Sequence, residues 1–512
     1  MDARTPVIIG VGEASERIGE PGYQGLSPVE LAARAAQAAL DDTRARVPPA
    51  SHIGVLAAVR QFETSGPNAQ SPFGRSNNFP RSVARRIGAD PRRAILEPVG
   101  GQGPQHLVNE FANAIAQGEM DLAMICGAEA ISTLRRLLGQ GETRDWSETV
   151  GGDLEDRGYG METLVSPELN AHGVRTAIQH YAIFENARRA KRGLDRKAYA
   201  LEMGELFAPF TNVAAENPHA MSHEVFDAPA LATITERNRM VADPFPRRMV
   251  SRDQTNQGAA VLIASVAKAR ELGVPEDRWV YLHGAADLAE RKPLERADLS
   301  AYPAAGLAAR AALERAGIGV GDVALFDLYS CFPIAVFDVR DELGMKPDDP
   351  RPLTLTGGLP FFGGAGNNYS MHAIASAVRG LRERPGAYGF VGANGGFLSK
   401  YSVGVYSTEP VEWREHSSAP LQAQVDSWAA PAAAPEAASD GVVESYTIDY
   451  GRGAPIATLV CRTGDGGRFC AMSDPDDPSL AAAMGQAEPL AARVATRRDE
   501  RGRRILSRFD PA

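Results

Sequence analysis

The chain has 512 residues and a formal net charge of -10 at pH 7. Its length excludes a single small module, because a domain usually holds about 100 to 200 residues. Apolar residues make up 44% and charged residues 23%, which is typical of a folded chain rather than a disordered one. The negative charge repels a phosphate backbone, so we expect no nucleic-acid partner.

The four cysteines, Cys126, Cys331, Cys461 and Cys470, show neither a metal-ligand spacing nor a dense disulfide framework. The N-terminal residues lack a charged segment followed by an apolar one. No run approaches the roughly 20 apolar residues of a membrane-spanning helix. We therefore expect a soluble cytoplasmic protein without a bound metal.

In chain order, residues 6–12 predict a buried strand, and a helical pattern follows with Ser27 as N-cap and Pro28 in the first turn. The next apolar run ends at Phe62. Residues 64–80 are rich in Ser, Asn, Pro and Gly and predict a loop. The alternation of strand and helix indicates an α/β fold.

An internal repeat is the most informative feature of the sequence. The hexapeptide LAARAA occurs at 31–36 and again at 307–312, each time followed by an apolar run that ends in Phe. Further along, the segment from Gly101 matches the segment from Gly364 in glycine placement and helical apolar spacing, and each leads to an apolar strand. The repeat predicts two related α/β halves.

Two regions fall outside this repeat. Residues 134–252 are richer in charge, His and Pro and predict an inserted loop domain, in which Arg188, Arg189 and Arg192 belong to a basic helix. Residues 415–441 form an Ala- and Pro-rich linker. Short β-rich runs bounded by turns predict a small β-barrel over 442–512.

Two glycine-rich turns, at 100–105 and 363–368, each precede a helical pattern. Backbone N–H groups at a helix start have no intrahelical partner, and the helix dipole makes this end positive. Such turns bind an anion or a developing oxyanion, although tight packing also requires glycine. Their occurrence in both halves makes them candidate binding elements.

These segments resemble the thiolase superfamily, in particular its sterol-carrier-protein-type branch, from about Pro6 to Ser407. Three segments carry this resemblance: residues 105–132, the segment that ends in LYSCF at Phe332, and GGLPFFGGAG at 357–366. The resemblance implies two βαβαβαββ halves in an α-β-α-β-α arrangement, spanning 1–133 with 253–275 and 276–414. The added barrel is similar to that of thiolase-like protein type 1, which implies an acetyl-CoA acetyltransferase-like chain of lipid metabolism with coenzyme A or acyl-CoA as its ligand and no tightly bound cofactor.

The same resemblance shows that the thiolase side chains are replaced. The nucleophilic cysteine aligns with Gly101, its activating histidine with Gly364 and the second cysteine with Ala393. Glycine and alanine supply no general base or nucleophile. We therefore expect acyl-CoA binding without thiolase chemistry.

Several other polar residues remain near the expected pocket. The candidates for catalysis are His106, Tyr369, Cys331 and His372. The candidate ligand contacts are Gly101, Gln102, Gly103, Gly364, Gly366, Asn367 and Asn394, together with Arg188, Arg189 and Arg192 for the phosphates. His106 and Tyr369 occupy equivalent positions in the two halves, which would allow them to face each other across the pseudo-twofold axis, although a histidine at a helix start is more often a structural hydrogen-bond donor.

Three functions remain open at this stage. The first is an acyl-CoA-binding protein without thiolase activity, and the second is an enzyme of altered mechanism, such as an aldolase-type lyase or an acyltransferase acting on acyl-CoA. The third is a true thiolase with differently placed residues, which is disfavoured because neither Cys126 nor Cys331 starts a glycine-turn helix. Monomer and homodimer are both compatible with the sequence.

Overall fold

A computed structural model describes residues 1–161, 164, 166–414, 417–451 and 453–512. The first part of the chain alternates strands and helices, as the sequence predicts. Its elements are β1 (Pro6–Ser15), α1 (Pro28–Asp42), β2 (Val55–Val59), α2 (Phe79–Arg86), β3 (Arg93–Glu97), α3 (Gly103–Gln117) and β4 (Leu122–Ala130). Ser27 caps α1 in a capping box with Glu30.

The inserted region is mainly helical. It contains α4 (Ile131–Gly139), β5 (Glu155–Asp156), α5 (Pro167–Ala171), α6 (Ala177–Arg192), α7 (Arg196–Glu216), α8 (Ala228–Ala232), β6 (Met240–Ala242) and β7 (Phe245–Pro246). The chain then returns to the first half through β8 (Asn256–Ser265) and α9 (Val266–Glu271).

The second half repeats the pattern of the first. It contains β9 (Val280–Ala289), α10 (Pro303–Ala316), β10 (Val323–Leu328), α11 (Pro333–Glu342), α12 (Tyr369–Arg382), β11 (Tyr388–Gly395) and β12 (Lys400–Ser407). A further helix, α13 (Ala419–Asp426), lies within the segment predicted as a linker, whose first residues, Glu415 and His416, lie outside the described residues.

Among the described residues, ten strands form one sheet in the order β10-β11-β12-β9-β1-β8-β4-β2-β3-β5. The first strands of the two halves, β1 and β9, pair in an antiparallel manner at the centre. Outward from β1 the order is β8, β4 and β2, and outward from β9 it is β12, β11 and β10. In each half, therefore, the last strand comes first, the strand after the glycine-turn helix comes next, and the second strand of that half follows. This pseudo-twofold arrangement confirms the repeat and the thiolase fold.

Small residues allow the helices to approach the sheet closely. The two LAARAA segments lie in α1 and α10, which contact β1 and β9 respectively. A Cβ on Gly284 of β9 would lie 3.0 Å from the carbonyl carbon of Ala312 in α10. Helix and strand backbones therefore meet at a distance that only glycine permits.

The C-terminal domain is a closed barrel with its own hydrophobic core. The five described strands that close it are β13 (Asp440–Asp449), β14 (Ile456–Arg462), β15 (Arg468–Met472), β16 (Arg493–Arg498) and β17 (Arg504–Asp510), and a helix, α14 (Ser479–Gln486), lies between β15 and β16. The pairs are antiparallel except β15 with β17, where Met472 lies opposite Ile505 in a parallel pair. One parallel pair is unavoidable because directions cannot alternate around a closed ring with an odd number of strands.

The barrel is docked on both the inserted domain and the second half through buried contacts. Arg189 of α6 donates to both carboxylate oxygens of Glu488 at 2.8 Å, and Arg468 donates to the Leu294 carbonyl oxygen at 2.9 Å. Val460 and Cys470 of the barrel belong to the hydrophobic cluster that joins the inserted domain and the second half. The barrel is therefore an integral part of the molecule.

Candidate functional site

The first glycine turn lies at the start of α3 and is filled by a tyrosine. A Cβ on Gly101 would collide with the Tyr329 hydroxyl oxygen and lie 2.6 Å from the ring carbon Cζ. Tyr329 follows β10 and is 8% exposed. The phenol thus occupies the space in which a side chain at position 101 would stand.

Neighbouring side chains close the rest of this turn. The Gln102 carboxamide carbon lies 2.9 Å from the Cβ position of Gly100 and 2.8 Å from that of Gly395. The Gly100 N–H donates to Asn367 Oδ1 at 2.9 Å, and Asn367 Nδ2 donates to the Arg60 carbonyl oxygen at 2.6 Å. Side chains therefore fill the space around this turn, and Asn367 links the two halves through hydrogen bonds.

The second glycine turn is also closed. Ser251 Oγ lies 2.6 Å from the Cβ position of Gly364, and the Glu129 carboxyl carbon lies 2.9 Å from that of Gly366. The N–H of Gly364 donates to the Arg252 carbonyl oxygen at 2.7 Å, and that of Gly366 donates to the Gly364 carbonyl oxygen at 2.8 Å. These N–H groups, expected to be unpaired, are used within the protein.

Glu129 is a buried acid that the sequence analysis did not single out. It is the penultimate residue of β4 and is 3% exposed. Its carboxylate accepts a hydrogen bond from the Phe62 N–H at 2.8 Å. Burial raises the pKa of Glu129 to about 8, with nearby Glu63 adding to the shift. Glu129 is therefore a neutral acid at pH 7, beside the second glycine turn.

Two tyrosines meet between the turns. The rings of Tyr329 and Tyr369 are perpendicular with centroids 5.2 Å apart. The Tyr369 hydroxyl lies 2.6 Å from Thr356 Oγ1 and donates to Asp327 Oδ1 at 3.4 Å. Burial raises the pKa of Asp327 to about 6 and the pKa of both phenols well above their usual value. Both tyrosines are therefore neutral hydroxyl groups.

The structure gives His106 and Tyr369 different partners, and among the described residues no hydrogen bond or ring contact joins the two. His106 Nδ1 lies 3.2 Å from Asp287 Oδ1, and Nε2 lies 3.9 Å from carboxylate oxygens of both Glu97 and Glu110. Burial lowers the pKa of His106, but these three carboxylates outweigh it and raise the pKa to about 9. His106 is a cation among acids, with its side chain 38% exposed.

His372 is a buried member of an ion network. Its Nδ1 lies 2.5 Å from Glu13 Oε1 of β1, and Arg379 binds the other oxygen of that carboxylate. Despite the opposing effect of burial, His372 and Arg379 lower the pKa of Glu13 to about 2. His372 Nε2 has no hydrogen-bond partner among the described residues. Through these contacts His372 links helix α12 to strand β1.

Cys331 is a protonated thiol in the described structure. It is 7% exposed and accepts a hydrogen bond from Asn394 Nδ2 at 3.7 Å. Burial raises the pKa of the thiol to about 12. Asn394 also donates to the Tyr181 hydroxyl oxygen at 2.7 Å, and the neighbouring Ala393 is buried. A buried thiol of this kind behaves as a small apolar group.

The basic helix α6 is not a free phosphate-binding surface. Arg188 is 3% exposed and binds Glu202 at 2.9 Å and Asp341 at 3.0 Å. Arg189 is 1% exposed and is paired with Glu488. Only Arg192 of the three is largely exposed, at 53% of its side chain. Two of the three expected phosphate ligands are thus already neutralised within the protein.

Other cations lie closer to the second glycine turn. Arg247 and Arg252 are exposed, and no ion pair joins either of them to a described residue. The backbone of Arg252 directly contacts Gly364, and its guanidinium donates to the Met221 carbonyl oxygen at 3.4 Å. The sequence analysis missed Arg252 because its position beside the turn depends on a contact between residues more than a hundred positions apart in the chain.

No described helix combines the length and the apolar character that a bilayer span requires. The described residues also do not bring three side chains of the His, Cys, Asp and Glu types into a metal-binding group.

Known proteins show the same architecture. A family model described as the additional C-terminal domain of thiolase-like protein type 1 matches residues 420–501. The crystal structure of a monomeric SCP2-thiolase-like protein type 1 from Mycobacterium smegmatis is 45% identical, covers 99% of each chain and has a TM-score of 0.84. A search of curated proteins finds no significant match.

More distant structures match the thiolase body. The Ltp2–ChsH2(DUF35) aldolase is 19% identical, covers 80% of this chain and 99% of its own, and has a TM-score of 0.59. The dimeric peroxisomal thiolase of Saccharomyces cerevisiae is 14% identical, covers 80% of this chain and 98% of its own, and has a TM-score of 0.56. These two show the fold alone, whereas the full-length match at 45% identity shows the family. The chain belongs to the thiolase-like protein type 1 family of the thiolase superfamily.

Proposed function

We propose that this chain binds acyl-coenzyme A and has no thiolase activity. The observation that carries the proposal is the Tyr329 phenol in the space of a side chain at Gly101. A nucleophilic cysteine at this position would collide with the ring. Gly364 and Ala393 supply no activating base and no second thiol, so the three groups of the thiolase reaction are missing together.

Cys331 does not replace the missing nucleophile. Burial raises the pKa of the Cys331 thiol to about 12, so the thiol is protonated at pH 7, whereas the thiolate is the reactive form. No described histidine bonds to the thiol, whose partner is the amide of Asn394. The chemistry of the site is therefore that of neutral hydrogen-bond donors and acceptors.

Acyl-CoA binding is supported by the family and by the unpaired cations at the second glycine turn. The Arg252 backbone contacts Gly364, and burial lowers the pKa of Arg252, which Arg247 is near enough to lower further electrostatically. Guanidinium groups are well suited to phosphate recognition. In the proposed complex these two residues bind the phosphates, replacing Arg188 and Arg189 in that role. The thioester end then lies toward Tyr329 and Gln102.

Isothermal titration calorimetry with acetyl-CoA tests this placement. We expect Arg247→Ala and Arg252→Ala each to weaken binding about tenfold, the usual effect of losing a charge-assisted hydrogen bond. Arg493→Ala, at an exposed barrel residue, is the matched control and should leave the affinity unchanged. Absence of binding at millimolar acetyl-CoA would remove the proposal, and full affinity in both variants would refute the placement of the phosphates.

A second candidate is an aldolase-type lyase acting on a 3-hydroxyacyl-CoA, which the pair Tyr329 and Tyr369 favours. In such a reaction the C2–C3 bond breaks, the 3-hydroxyl loses its proton to give a carbonyl product, and C2 gains a proton to leave a shortened acyl-CoA. Tyr329, as a neutral phenol, would donate a hydrogen bond to the thioester oxygen as charge develops there. This function predicts carbonyl release from a 3-hydroxyacyl-CoA that is lost in Tyr329→Phe while acyl-CoA binding is retained.

A further inference from the structure

A cavity of about 700 Å³ lies outside the glycine-turn site, between α7, α11 and residues 345–353. Its volume is in the range of pockets that enclose small ligands. The side chains of Phe210, Leu206 and Phe337 form an apolar part of the cavity wall. Prolines at 347, 350 and 352 line the opposite side and give that segment restricted backbone freedom.

Arg340 places a buried cation in this wall. Its side chain is 9% exposed, and its Nε and Nη2 donate to Asp341 Oδ1 at 3.1 and 2.9 Å. Its guanidinium carbon lies 5.0 Å from the ring centroid of Phe337. Nη1 has no hydrogen-bond partner among the described residues and is the donor left over for a ligand.

The other charges around the cavity leave an excess of positive groups. Lys346 forms no ion pair with a described residue, and Arg192 is only loosely paired, with 3.4 Å between its Nε and Glu202 Oε2. Glu202 already binds Arg188, and Asp349 binds Arg351 at 2.6 Å. Of the lining acids, Glu205 alone is left without a described cation.

We propose that this cavity binds an amphiphilic anion, that is, an apolar chain or ring with one carboxylate or phosphate head. The head accepts hydrogen bonds from Arg340 Nη1 and Lys346, and the apolar body lies against Leu206, Phe210 and Phe337. A guanidinium that is 9% exposed and has one nitrogen left unpaired favours an anion, because most of the group is already withdrawn from water in the folded protein.

The site lies close to the thiolase-like centre without being part of it. A Cβ on Gly358 would meet Phe210 Cδ2 at 2.7 Å and Ser330 Oγ at 2.8 Å, so Gly358 contacts both Phe210, which lines the cavity, and Ser330, the neighbour of Tyr329. A ligand here is distinct from the proposed acyl-CoA ligand, whose phosphates are placed on Arg247 and Arg252. The two proposals can fail independently.

Calorimetric titration of the full chain with octanoate, octyl phosphate and octanol tests the inference. We expect saturable binding of the two anions, at least tenfold weaker binding of octanol, and weaker anion binding as salt is added. Preference between the two anions identifies the head group. Equal affinity for octanol and octanoate, or no saturable binding of either anion, would overturn the proposal.

Variants locate the ligand. Lys346→Met and Arg340→Met should each weaken octanoate binding about tenfold, and Leu206→Trp, which fills the cavity, should abolish it. Lys346 is exposed, so its variant is expected to fold normally and keeps the test valid if Arg340→Met is unstable. Lys197→Met, on the same helix α7 but outside this cavity, is the control and should leave the affinity unchanged. Unchanged affinity in both Lys346→Met and Leu206→Trp would place the ligand elsewhere and refute the site.

Discussion

Substitution of Gly101 by alanine tests the packing that defines the site. The added Cβ would lie 2.6 Å from Tyr329 Cζ and 2.7 Å from Cε2. Gly101 does not adopt a positive φ, so the strain is steric and does not arise from the backbone conformation. Overpacking of this kind costs about 1–3 kcal/mol of unfolding free energy.

A double-mutant cycle isolates this contact. Tyr329→Ala alone should cost about 3–5 kcal/mol, as for other buried aromatic side chains. In Gly101→Ala/Tyr329→Ala the clash is absent, so the double variant should be more stable than the sum of the single effects by about 1–3 kcal/mol. Urea unfolding followed by near-ultraviolet circular dichroism gives the unfolding free energies of the two single variants and the double variant. Gly139→Ala, where an added Cβ meets no atom within 4 Å, is the control and should not be destabilising.

Additive effects in this cycle, or a Gly101→Ala variant as stable as the wild type, would refute the reasoning. Either result would mean that Tyr329 does not occupy the space of the missing nucleophile. The loss of thiolase chemistry would then need another explanation.

Three further predictions concern groups around this centre. The pKa of Glu129 is raised from 4.5 to about 8, so its contribution to stability is fully present below pH 4.5 and is lost as the pH rises through 8. The melting temperature of Glu129→Gln should therefore be higher than that of the wild type at pH 9 and similar to it at pH 4. Glu488→Gln should lower the unfolding free energy by about 3 kcal/mol in urea titrations because it leaves the buried Arg189 cation without its ionised partner, and Arg189→Met should leave less electrostatic cost because the carboxylate that remains is 39% exposed. Cys331 should not react with iodoacetamide at pH 8 in the native state and should react in urea, because its pKa is about 12; native labelling confirmed by peptide mass would contradict its burial.

Features that depend on local patterns could be predicted from the sequence. The repeat of LAARAA with the strand that follows predicted the two halves, because helical and strand periodicities are set within a few residues. The β-rich runs after residue 442 predicted the barrel in the same way. The closed ring with one parallel pair, Met472 opposite Ile505, is a property of strand number that no single strand reveals.

Features that depend on distant partners could not be predicted. The basic residues of α6 give a surface pattern in the sequence, yet Arg188 and Arg189 are buried because Asp341 and Glu488 lie about 150 and 300 residues away in the chain and reach them only in the fold. The glycine turns likewise marked candidate anion-binding elements, but the sequence did not reveal that Tyr329 from the other half fills the space at Gly101. Glycine identifies a close approach without identifying the group that approaches.

Thiolysis of acetoacetyl-CoA by the purified chain tests the central claim most directly. We expect the loss of acetoacetyl-CoA in the presence of free coenzyme A to proceed at the rate of a protein-free sample, while calorimetry on the same preparation shows that the protein is folded and binds acetyl-CoA. Protein-dependent turnover that disappears in Cys331→Ala would contradict the account, because it would identify a working nucleophile in a site where the structure shows only a buried, protonated thiol.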